Sequence, residues 1–275
     1  MLFFPPALYS AGLRGLGNSL MRRNLSGLTL VLAWLLVSTQ APAAVAPEVK
    51  AIDPPKNILF IGNSFTYYNN GLHNYLRQLI DAADSSGEAS GVLRLMTISG
   101  AKLAEHAPAL RAILQSEEWD AVVLQGHSLE AVDRSTLKNF RDAVRAFHKE
   151  IKKSGADTVL FMTWAYSNQP RMTDSLDTSY TILGNFLDSL VVPVGRAFER
   201  ARQQHPDIAL IMEDRKHPTL AGTYLAACVF YSALYGQSPA ELDDGPPGLT
   251  AQAARALREV AWAAVRAYYD KQADM

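Results

Sequence analysis

Cysteine is almost missing from this 275-residue chain: Cys228 is its only one, so no intramolecular disulfide can form, even in an oxidising compartment. It lies in the apolar stretch Tyr224-Leu225-Ala226-Ala227-Cys228-Val229-Phe230 and reads as a buried structural thiol, not a reactive one. An excess of charge is missing too. Lys and Arg number 26 against 27 Asp and Glu, and the net charge of −1 excludes a basic face for nucleic acid or an acidic tail for a basic partner. No clustered metal ligands stand out: His73, His106, His127, His148 and His205 show no ligand spacing, so neither a metal nor a cofactor is expected. Internal repeats, low-complexity segments and a second domain are also absent.

What is present suits one globular domain, with 48% hydrophobic and 19% charged residues. The first 44 residues read as a secretory signal: Met21-Arg22-Arg23 supplies the positive start, residues 28–37 the apolar core, and Ala41-Pro42-Ala43-Ala44 a small-residue cleavage site. Met21 is an alternative start. The apolar run is shorter than the ~20 residues that span a bilayer, so cleavage is expected over anchoring and the mature chain is expected in the periplasm or outside the cell. Residues 45–56, with Pro47, Pro54 and Pro55, form a linker, and 57–275 the domain.

Within the domain, short apolar runs alternate with helical patterns. Strands are expected over 57–61, 93–98, 121–124, 158–162 and 191–194, and helices over 72–83, 102–116, 137–153, 175–190, 197–204, 220–235 and from about 250 onwards. The run 121–124 is continuous rather than alternating, as in a strand buried on both faces. The alternation implies a three-layer α/β/α sandwich, flavodoxin-like, around a mostly parallel five-stranded sheet.

In such sheets, sites form at the carboxyl ends of strands, beside the point where strand order reverses. Three polar clusters fall there: Gly62-Asn63-Ser64, Ser99-Gly100, and Gln125-Gly126-His127-Ser128. Far downstream, Asp214-Arg215-Lys216-His217 places an aspartate three residues before a histidine. Serine, aspartate and histidine in that order point to acyl transfer. A loop glycine lets backbone amides approach an oxyanion, and a glutamine amide can donate to it, so these loops together can form an oxyanion hole around an ester carbonyl attacked by Ser64.

These four blocks together resemble the SGNH, or GDSL-type, serine hydrolases over essentially the whole mature chain. The resemblance implies Ser64 as nucleophile, His217 as general base and acid, Asp214 as its orienting carboxylate, and the backbone amides of Ser64 and Gly100 as oxyanion donors. Two blocks depart from the usual pattern. Asn63 stands where the superfamily has aspartate, and Gln125-Gly126-His127-Ser128 replaces Gly-x-Asn. The latter is closer to the Gln-Gly-Glu signature of sialate and acetylxylan esterases, which implies Gln125 as donor and deacetylation of carbohydrate. Ser128 is the rival donor, and Glu213 the rival for orienting His217.

His127, Trp164 and Asn168 are expected to line the substrate pocket, with a core role for Trp164 as the alternative. The expected partner is a small-molecule or glycan ester, with no nucleic acid and no membrane anchor after cleavage. Competing readings are a lipolytic esterase or thioesterase for longer chains, and an exported binding protein without turnover in which Ser64 only caps a helix or cradles a phosphate.

Overall fold

The computed structural model describes residues 45–84, 91–242 and 245–271; the expected signal segment 1–44 lies outside the described residues. Five strands, β1 (Ile58–Gly62), β2 (Leu93–Thr97), β3 (Ala121–Leu124), β4 (Asp157–Phe161) and β5 (Leu190–Val192), form one sheet in the order β2-β1-β3-β4-β5. Every neighbouring pair is parallel, and Ile58 stands opposite both Leu93 and Ala121. β1, β3 and β5 are buried along their whole length, whereas the edge strand β2 is half-exposed. Continuous apolar runs belong in such strands because helices cover both faces.

One helical layer joins α2 (Leu72–Ala83), α6 (Val194–Gln204), α7 (Leu220–Tyr235) and α8 (Ala251–Tyr269), with α7 against each of the other three. The other joins α3 (Ala107–Leu114), α4 (Leu137–Lys153) and α5 (Met172–Leu187). α7 is buried from Ala221 to Leu234, as a helix apolar on all sides must be. Its Phe230 meets Phe60 and Phe161 edge-on at 5.4 and 5.0 Å, and its Cys228 is fully buried. Among the described residues no helix is long and apolar enough to cross a membrane.

The expected elements are present, with shifted ends. The helix expected over 102–116 divides into a 3₁₀ turn at Leu103–His106 and α3, because Pro108 falls in the first turn of α3, where its missing N–H costs least. β5 stops at Val192 and α6 starts at Val194, with Pro193 between them. The strand order reverses at β1, whose carboxyl end therefore faces the crevice between the loops after β2 and β3.

Candidate active site

Ser64 opens a single helical turn, α1 (Ser64–Tyr67), directly after β1. Asn63 caps this turn, its Oδ1 accepting from the Phe65 N–H at 3.2 Å. Its Nδ2 donates to Ala101 O at 3.1 Å, tying the serine turn to the loop that carries Gly100. An aspartate here would have no hydrogen to give, which accounts physically for the amide. At Gly62, the last residue of β1, a Cβ would come within 2.4 Å of Gln125 Oε1 and 2.6 Å of Thr66 Oγ1. Only glycine fits.

Asp214 and His217 share a tight loop between the antiparallel bridge residues Ile211 and Pro218. Arg215 takes a φ of 72°, a left-handed conformation that costs a non-glycine residue of order 1–3 kcal/mol. That turn brings the Asp214 carboxylate back onto its own loop, where Oδ1 accepts from the Lys216 and His217 N–H groups at 3.0 Å each. Its Oδ2 is hydrogen-bonded to His217 Nδ1. Partial burial pushes this carboxyl up, but the His217 ring and the two backbone N–H groups outweigh it and hold the group at about 2. An ionised Asp214 can only accept, so Nδ1 carries the proton and Nε2 is left as the acceptor. Ser64 Oγ lies 2.9 Å from that Nε2. Ser64 is 7% exposed, reachable yet sheltered.

The structure therefore brings Ser64, Asp214 and His217 into one hydrogen-bonded chain. Glu213 is exposed, and it is Asp214 that bonds to the ring. Gly100 takes a φ of 67° with open space where a side chain would project. Among the described residues the N–H groups of Ser64 and Gly100 have no hydrogen-bond partner and remain free to donate.

Gln125 is turned to another task, which corrects the expectation of a side-chain oxyanion donor there. Oε1 accepts from the Asn63 N–H at 2.8 Å and the Thr66 hydroxyl at 2.9 Å, and the backbone donor fixes which end of the amide is oxygen. Nε2 donates to Asn63 Oδ1 at 3.0 Å and to Gly126 O. Both amide hydrogens are committed, and the side chain is 1% exposed. The rival Ser128 is buried with its hydroxyl 2.7 Å from the Tyr166 hydroxyl.

Trp164 is likewise corrected from pocket wall to core. It is fully buried, stacked between Phe65 at 4.5 Å and Phe198 at 4.3 Å. Its Nε1–H donates to Lys216 O at 2.9 Å, so this ring fastens the Asp-His loop from beneath. His127 is half-buried; its N–H donates to Glu130 Oε2 at 2.6 Å, and among the described residues no hydrogen bond links it to Ser64, Asp214 or His217. Asn168 is exposed and lines a surface hollow with Val132 and Met172 that none of the three triad residues reaches.

Two tyrosines absent from the sequence-based set stand at the site. The Tyr67 hydroxyl donates to Ser99 Oγ at 3.1 Å, joining α1 to the Gly100 loop, and the Tyr68 ring stacks on His217. Their signal was faint: two aromatics followed by Asn69-Asn70-Gly71, residues that tolerate left-handed turns.

No family model and no curated protein matches the chain. Solved structures do. A DUF4886 family protein from Bacteroides uniformis is 20% identical with a TM-score of 0.60, covering 79% of this chain and 97% of its own. A candidate SGNH hydrolase from Slackia heliotrinireducens is 25% identical with a TM-score of 0.54, over 64% of this chain and 97% of its own. A catalytic mutant of an acetylxylan esterase from Geobacillus stearothermophilus is 19% identical with a TM-score of 0.51, over 66% and 94%. What these alignments share with the chain is its architecture: the protein is built on the SGNH-hydrolase fold.

Proposed function

We propose that the protein is an exported serine esterase that removes short acyl groups, above all acetyl, from carbohydrate esters. The observation that carries this reading is the Ser64 Oγ to His217 Nε2 contact of 2.9 Å, with His217 held at Nδ1 by ionised Asp214. Ser64 Oγ attacks the ester carbonyl carbon while His217 Nε2 takes its proton. The carbonyl oxygen becomes an oxyanion and meets the N–H groups of Ser64 and Gly100. The tetrahedral species collapses, the C–O bond to the alcohol breaks, and the leaving oxygen takes the proton from His217. Water then attacks the acyl-enzyme with His217 again as base, releasing the acid and restoring Ser64.

The acetyl preference rests on the likeness to an acetylxylan esterase. Export rests on the charged, apolar and small-residue succession over 21–44. Exposed Ile98 and Met212, just before the Ser99-Gly100 and Asp214 blocks, favour a second reading in which a longer acyl chain lies across the site.

The test is turnover of a p-nitrophenyl ester series together with fluorophosphonate labelling, in wild type and Ser64→Ala. Expected are labelling at Ser64, a ~10⁴-fold or greater loss in Ser64→Ala, and kcat/KM higher for acetyl than for octanoyl. Retained activity in Ser64→Ala refutes the hydrolase reading. A kcat/KM that climbs steadily with chain length replaces the acetyl reading with the lipolytic one.

A further inference from the structure

The Tyr68 ring lies over the His217 imidazole with 4.4 Å between centroids and 21° between planes. Phe65 meets the same imidazole edge-on at 5.8 Å and 71°. The base is thus gripped on two sides, by Phe65 of α1, the turn that carries the nucleophile, and by Tyr68, which caps that turn's end.

The backbone that delivers Tyr68 is costly. Asn69, Asn70 and Gly71 follow with φ of 53°, 70° and 78°, three successive left-handed residues of which only the last is glycine. Such conformations persist where the surroundings over-determine them. Here the surroundings are the histidine's own: Asn69 Nδ2 donates to Pro218 O at 2.9 Å and to Thr223 Oγ1 at 2.8 Å, and the Tyr75 hydroxyl donates to Asn69 O at 2.8 Å. A strained turn is bolted to the residue after His217, and its effect is to fix one aromatic face against the ring.

We propose that Tyr68 is a positioning residue that holds His217 in line with Ser64 and favours its charged form, a role that rests on the serine-esterase reading. As Nε2 takes the Ser64 proton, positive charge spreads over the imidazole, and the negative face of an aromatic ring attracts that cation more than the neutral ring. The contact therefore strengthens in the transition state, where it affects rate. The other groups facing His217 are Asp214 at Nδ1, the Ser64 hydroxyl at Nε2 and the edge of Phe65, with the exposed cations Arg215 and Lys216 on its own loop. None of them covers the face that Tyr68 covers.

The experiment follows the His217 imidazole by NMR titration in the whole protein, with the signal assigned through His217→Gln. Wild type is compared with Tyr68→Leu, Tyr68→Met and Tyr68→Phe, and the pH dependence of kcat/KM on p-nitrophenyl acetate is recorded beside it. Losing the ring face makes protonation harder, so the midpoint in the Leu and Met variants falls by roughly 0.4 to 1.5 pH units. The acid limb of kcat/KM moves to lower pH by the same amount, and plateau kcat falls roughly 3- to 30-fold with KM little changed. Tyr68→Phe restores most of both, since it returns the face without the hydroxyl. The Met variant keeps the test open if Leu does not fold. An unmoved or raised midpoint, or a Phe variant no better than Leu, overturns the role. Absence of ester turnover and of Ser64 labelling in wild type refutes the esterase reading instead, and the NMR midpoint still reports on the contact.

Discussion

Gln125→Ala separates two roles that the same amide can play. The structure makes it the brace of the nucleophile turn, accepting from the Asn63 N–H at 2.8 Å and the Thr66 hydroxyl at 2.9 Å while donating to Asn63 Oδ1. Alanine strips all of these at once in a site where Gln125 is 1% exposed and Asn63 2%. The orphaned Asn63 N–H alone costs about 1–3 kcal/mol, whereas the Thr66 hydroxyl can rotate and Asn63 Oδ1 still accepts from the Phe65 N–H. With the void left by the side chain, a loss of about 3–5 kcal/mol follows. For a domain of this size that lowers Tm by roughly 6–20 °C. Catalysis falls as well, because Asn63 precedes Ser64 and its cap sets the serine's direction. The assay pairs thermal melting by circular dichroism with kcat and KM on p-nitrophenyl acetate. A kcat loss of ~10² to 10³ at unchanged Tm is the signature of a lost oxyanion donor and refutes the brace. Gln125→Glu sharpens the contrast: a carboxylate still accepts from the Asn63 N–H but faces Asn63 Oδ1 and Gly126 O with charge instead of hydrogens. It is expected to destabilise at least as much as alanine.

Two further substitutions test the Asp-His loop. Asp214→Ala is expected to lower kcat by roughly 10² to 10⁴, Glu213→Ala hardly at all, and the reverse order in steady-state kinetics overturns the assignment. Because Asp214 is held at about 2, below its unfolded value near ~3.9, the stability it contributes is complete above about pH 4 and is lost as pH falls towards 2. The melting difference between wild type and Asp214→Asn should therefore shrink as pH falls from about 4 towards 2, and a difference that grows over that window contradicts the sign. Trp164→Ala, emptying a ring stacked between Phe65 and Phe198, is expected to cost about 3–5 kcal/mol of stability. A raised KM at unchanged Tm would return Trp164 to the substrate pocket.

The sandwich was legible because its determinants are local. Apolar runs such as 58–61 and 121–124, rich in β-branched residues, suit strands covered on both faces, and the 3.6-residue spacing of Leu137, Phe140, Val144, Phe147 and Ile151 suits one buried stripe of a helix. Local chemistry also explains Asp214 and His217: three residues apart, they close a turn in which the carboxylate meets both the backbone and the ring. The blocks at the strand ends could be placed together because parallel strands must deliver their carboxyl ends to one edge.

The direction of a side chain within that edge was a different matter. Gln125 and Asn63 are 62 residues apart, and nothing near either one says that the glutamine amide turns inward to the serine turn instead of outward to a substrate. Trp164 bears an indole equally suited to a sugar or a core; Phe65 and Phe198, from distant elements, decided it by closing on both faces. Tyr68 met His217 only because the strained turn at 69–71 is fastened to Pro218, 149 residues beyond Asn69. Periodicity and turn chemistry are written along the chain, so the sequence by itself determined the elements, their order and Ser64, Asp214 and His217 as the candidate catalytic residues. Which polar groups satisfy one another, and which rings stack, depends on surfaces that exist only once the layers have packed, and that was left to the tertiary structure.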